Sequence, residues 1–165
     1  MKYLLISILI LFSNLQSLDL DQVRIAYKEA AQNPEKVDDF FNSMQSVTRT
    51  EDMELVAYKG AAIALKARNA KTLKDKKTGF IEGVSYIEFA IETEPNNIES
   101  RFIRLGIQEN TPKLLKYKAD IDRDKAFILT QLPYIKSTQL KNHIKDYILH
   151  SDSFTSEEKS VFSGR

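Results

Sequence analysis

Arg101, Arg104 and Gln108 recur at i, i+3 and i+7, which places them on one stripe if the chain from Ile98 onward is helical. Two guanidiniums on one face can grip a carboxylate or a phosphate in bidentate fashion, so this stripe is the first candidate contact surface. The opposing reading pairs the same arginines with local acids such as Glu94 and Glu99 and makes them a tie between helices. Gln108 fits equally a polar helix end, "QEN", whose amides satisfy loop backbone. Tyr58 and Tyr117 are candidate aromatic anchors for a partner, with plain core packing as their alternative.

Other chemistry is thinly represented. Asp120, Asp122 and Asp124 alternate as in a calcium loop, but Lys125 stands where the turn needs glycine and Gln131 where the bidentate glutamate belongs. Helix capping and complementation of the helix dipole account for the three acids more simply. His143 and His150 lie two helical turns apart with Asp146 between them, too far to share one metal without ligands from elsewhere. Cysteine is absent, no serine sits in a glycine-flanked elbow, and five glycines in the whole chain form no phosphate-cradling loop. These residues imply no metal, no cofactor and no catalytic motif.

Charge narrows the partners further. The 165 residues carry 24 basic and 23 acidic side chains, a balance that points to neither nucleic acid nor a membrane surface. One local exception is the segment 66–77, with six basic residues against the single acid Asp75. It reads as a solvated loop, or as a peripheral contact with anionic lipid.

The elements that position these residues are helical almost throughout. Leu20, Val23, Tyr27 and Ala30 line one face of a first helix. Asn33 followed by Pro34 is a start signal for a second, with Val37, Phe40, Phe41, Met44 and Val47 inward. Thr48 and Glu51 have capping-box spacing before a third helix that ends near Arg68, and its face Ala57, Gly60, Ala61, Ala64 lets a neighbour approach closely. Further helices are expected over about 79–94, over 98–109 behind the cap Asn97, from Asp120 or Asp122 as far as Pro133, and around Leu140, Ile144, Tyr147 and Ile148. Thr155 and Glu158 have capping-box spacing for a short last helix.

Ahead of all this, Lys2 precedes an apolar run from Tyr3 to Phe12, interrupted only by Ser7 and followed by polar residues. That order is the secretory signal pattern, and the run falls short of the roughly 20 apolar residues of a membrane span. The expectation is a signal peptide over 1–17, retained as an anchor in the alternative reading, and one α-helical domain over 18–165. An exported chain without cysteine has no disulfides and must be held by packing alone.

The segment from Gly83 to Pro95, with Gly83, Ile87, Ala90 and Pro95 and with "AIETEPNN" as its most typical piece, resembles the second helix of a tetratricopeptide repeat, with Val56 and Gly60 as the matching first-helix positions. The two halves stand about 11 residues further apart than a 34-residue repeat permits, through "ARNAKTLKDKKTGF". The chain from Leu55 to Ile128, including "RFIRLGIQENTPKLLKY" and "DRDKAFIL", is also similar to a group of small exported bacterial proteins without an assigned activity. Together these resemblances imply an all-α, right-handed array of antiparallel hairpins, about seven helices, that binds a protein or peptide partner in the periplasm or cell envelope of a bacterium. The competing expectations are an envelope enzyme or small-ligand carrier with a pocket between hairpins, and a membrane-anchored structural protein.

Overall fold

A computed structural model describes residues 18–162, and the expected signal peptide lies outside the described residues. The fold is all-α. Its helices are α1 (Leu20–Gln32), α2 (Val37–Ser43), α3 (Met53–Arg68), α4 (Leu73–Thr93), α5 (Ile98–Glu109), α6 (Ile121–Gln131), α7 (Thr138–His150) and α8 (Ser156–Ser160), with no strand among the described residues. Several starts follow directly from short polar side chains that accept an otherwise unpaired backbone N–H. Asn97 accepts from Ser100 N at 3.0 Å and Ser137 from Leu140 N at 3.2 Å, while Thr155 and Glu158 form the expected reciprocal capping box. Thr48 and Glu51 form no such box: the Thr48 hydroxyl meets that of Thr50 instead, and α3 begins later, behind Asp52.

The largest departure from expectation is the start of α4. It begins at Leu73, six residues before Gly79, because the Thr72 hydroxyl caps it by accepting from Asp75 N at 3.0 Å. Gly79 therefore sits inside a helix, where its missing side chain has a use: a Cβ there would stand 2.8 Å from the Cβ of Ala67 on α3. The segment expected as a loop over 66–77 is mostly helical, the end of α3 and the start of α4 joined by the four residues 69–72. What separates the two halves of the repeat-like pattern is thus an extension of both helices.

Along this antiparallel pair the helix backbones touch. A Cβ on Gly60 would lie 2.5 Å from the Gly83 carbonyl oxygen, and one on Gly83 would lie 2.6 Å from the Gly60 oxygen. The small-residue face of α3 is a packing device at closest helix approach, as its spacing suggested.

α5 is the common wall of the fold. Ile103 and Ile107 point into a core built with α1, α2, α3 and α4, whereas Phe102 and Leu105 point into a second core with α6, α7 and Phe154. A helix apolar on two faces has little room left for polar side chains, so those it carries become buried and must find partners.

Candidate functional site

Three polar networks radiate from α5. At its first turn, Glu99, 2% exposed, accepts both arms of Arg24 at 2.7 Å and the Tyr58 hydroxyl at 2.7 Å, fastening α1 and α3 to α5. At its middle, Arg104 donates to both oxygens of Asp124 at 2.6 and 2.7 Å and to Glu88 at 2.8 Å, fastening α6 and α4. Arg101 adds a 2.9 Å bond to Asp124, donates to the Pro95 carbonyl at 2.8 Å, and lies over the Phe127 ring. At its end, Glu109 accepts from Tyr147 at 2.6 Å and from Ser151 at 2.8 Å, which holds α7. Hydrogen bonding to carboxylates holds the Arg24 guanidinium firmly charged, and burial beside Glu99 pushes the Tyr58 phenol well up.

The expected contact stripe is therefore mostly interior, with Arg101 alone keeping partial exposure. Arg104 is 1% exposed, and Gln108 and Tyr58 are 0% exposed, so a partner docking on the surface does not reach them. The arginines do tie helices together, but through Asp124 and Glu88 rather than Glu94 or Glu99. The Gln108 amide finds no protein partner among the described residues for either its oxygen or its nitrogen, so it does not serve the loop backbone. Tyr117 is half-buried, donates to Glu88 and packs edge-on against Phe80, and burial raises its phenol pKa. Asp120 does not cap α6 with its side chain. It pairs with Arg123, while Asp124 serves as the buried counter-ion, and no cluster of metal-binding groups occurs among the described residues.

The accessible site lies elsewhere, at the C-terminal ends of α3 and α5. A cavity of about 270 Å³ opens between α1, α3, α5 and α7, with Tyr27, Phe102, His143 and Tyr147 among its walls. Next to it is an apolar cavity of about 190 Å³, walled by Ala64, Phe80, Pro112 and Leu115. Leu65, Arg68, Ile107 and Asn110 line both, so the two form one stepped furrow with Arg68 at the step. Gly106 makes the deeper part: a Cβ there would sit 3.0 Å from the Tyr27 hydroxyl. That hydroxyl has no hydrogen bond among the described residues, and burial raises its pKa while the charge of Arg68 acts against the rise. His143 stacks edge-on against Phe102 at 5.1 Å, and burial together with Lys28 lowers its pKa, so it is neutral at pH 7. Arg68 is exposed and carries no ion pair, its one structural service being a positive charge in the last turn of α3.

Two larger depressions, about 610 and 630 Å³, are open to the surface, and several of their charged side chains are already engaged within the fold. Lys66 pairs with Asp38 and Lys59 donates to the Met44 and Gln45 carbonyls in the first, and Arg24 pairs with Glu99 in the second. Among the described residues, no helix is long and apolar enough to cross a membrane.

Sequence reasoning missed the furrow because its residues come from five helices. The one legible signal was Arg68, a basic residue closing a helix without an acid at i−3 or i−4. Comparison of the chain with protein-family models, with characterised proteins and with solved structures returns no match.

Proposed function

We propose that this chain is a non-enzymatic binding protein that receives a segment of a peptide or protein partner in the furrow between α3 and α5. The observation that carries the reading is the pairing of two adjoining cavities around an unpaired guanidinium. Each cavity is smaller than the roughly 300–1,000 Å³ typical of small-molecule sites, yet each has room for a side chain. Two such holes side by side suit neighbouring side chains of one chain: an aliphatic one in the Leu115 cavity and a polar or aromatic one against Tyr27 and His143. Arg68 between them suits a carboxylate. Export to the cell envelope belongs to the same proposal and rests on Lys2 and the apolar run behind it.

The test is a random-peptide display library panned on the full chain, with Arg68→Glu and Leu115→Lys as counter-targets. Neither side chain is buried, so both variants should fold. Enrichment on wild type of peptides that pair an aliphatic with an acidic residue, lost on both variants, supports the reading. Peptides that bind all three proteins alike, or no enrichment at all, overturn it.

A further inference from the structure

Beside the furrow lies a surface of different character. Leu73, in the first turn of α4, is 85% exposed, and Leu114, in the 3₁₀ turn Lys113–Leu115, is 89% exposed. Both flank the apolar cavity: Leu73 is on the α4 stripe of Lys76 and Phe80, which line it, and Leu114 adjoins Leu115, which lines it too. Large apolar side chains this open, on either side of an apolar hollow, need an explanation beyond ordinary surface composition.

The charges around them point one way. The segments 71–77 and 113–118 contain seven lysines, no arginine and one acid, Asp75, whose carboxylate is held by the Thr72 hydroxyl at 2.8 Å. Lys118 donates to the Glu109 carbonyl at 2.8 Å. The ammonium groups of the other six, among them Lys74, Lys77, Lys113 and Lys116, enter no hydrogen bond or ion pair among the described residues. Lys116 is moreover held in the left-handed region, φ 51°, at the end of the 3₁₀ turn.

We infer that this lysine-ringed pair of leucines is a docking surface for an anionic lipid bilayer, the leucines entering the headgroup layer and the lysines facing the lipid charge. A diffuse sheet of negative charge is matched by mobile point charges, which the lysines of these two segments supply, whereas a carboxylate on a protein surface is gripped best by arginine, and the one arginine nearby, Arg68, stands in the wall of the adjoining furrow rather than in either segment. Lysine is also depleted at protein–protein interfaces, while exposed leucine beside lysine is the pattern of membrane-surface elements. The inference does not depend on the peptide reading of the furrow. It narrows the membrane contact expected of segment 66–77 to the start of α4 beside Leu73 and joins it to segment 113–118, since Lys66 is paired with Asp38 and faces a different depression.

The chain has no tryptophan, so Leu73→Trp and Leu114→Trp each install a single emitter, and Tyr134→Trp, at another site 77% exposed, is the control. Each full-length variant is titrated with vesicles of phosphatidylcholine alone and of phosphatidylcholine with phosphatidylglycerol. Expected is a blue shift of emission at positions 73 and 114 on the anionic vesicles only, with none at 134. Lys74→Gln and Lys113→Gln should each lower partition about 5-fold, the equivalent of about 1 kcal/mol per basic residue near the surface. Local reading at these positions separates the contact from any made by the apolar N-terminal run. No shift at 73 and 114, or an equal shift at 134, overturns the inference. Salt-sensitive association without a shift at either leucine position does so too, because a purely ionic contact is what an acidic protein makes.

Discussion

Replacing Gly83 with alanine pushes a methyl group into a contact between two helix backbones. The new Cβ would lie 2.6 Å from the Gly60 oxygen, 2.8 Å from Ala64 N and 3.0 Å from the Ala64 Cβ, where ordinary contact begins near 3.4 Å. Two of those three atoms are main chain, so no rotamer change relieves the clash, and α3 and α4 must part at their closest approach. Overpacking of this kind costs about 1–3 kcal/mol. Alanine regains about 1 kcal/mol over glycine as a helix former. The net expectation is destabilisation by about 1–2 kcal/mol, at the high end because backbone yields less readily than side chains. For a domain of this size that is a fall in Tm of roughly 3–6 °C. Urea unfolding followed by far-UV circular dichroism reads it directly, with Thr78→Ala on the exposed face of α4 as the propensity control. If Gly83→Ala is stabilised to the same degree as Thr78→Ala, the close approach of α3 and α4 is wrong.

Three further outcomes are expected. Asp124→Ala strands Arg104, and with it the inner arm of Arg101, inside the fold; urea unfolding should show a loss of about 3–5 kcal/mol, against at most about 0.5 kcal/mol for Asp38→Ala, whose pair with Lys66 is exposed. His143 has its pKa held below the usual 6.5, so between its folded pKa and 6.5 the unfolded chain binds more protons and stability falls as pH drops through that window. His143→Gln should flatten the change in Tm between about pH 7.5 and 5.5, and an unchanged slope would place the effect on other groups. Lys116→Gly relieves the left-handed backbone at φ 51° and should raise stability by about 0.5–1 kcal/mol in urea, while weakening vesicle binding.

The helices were legible wherever an apolar period and a cap coincided. Asn97, Thr155 with Glu158, and the stripe Leu140, Ile144, Ile148 appear in the structure as their spacing suggests. Legibility failed where tertiary contact overrides a local signal. Gly79 looks like a boundary in one dimension and is an interior contact with Ala67 in three. The arginine stripe failed for a related reason. Periodicity places Arg101 and Arg104 beside an apolar face, but only the packing of α6 shows that Asp124, 20 residues beyond Arg104, arrives as their counter-ion. The furrow was invisible because its walls belong to α1, α3, α4, α5 and α7, and no spacing within one segment announces a cavity between five.

The most direct measurement is amide chemical-shift mapping on the isotopically labelled chain, titrated with the peptide most enriched by panning. The expected shifts fall on residues 64–68 and 106–112 and on Tyr27 and His143, with Arg68→Glu abolishing them. Shifts confined to other surfaces, or an undiminished response in Arg68→Glu, would contradict the assignment of the furrow as the binding site.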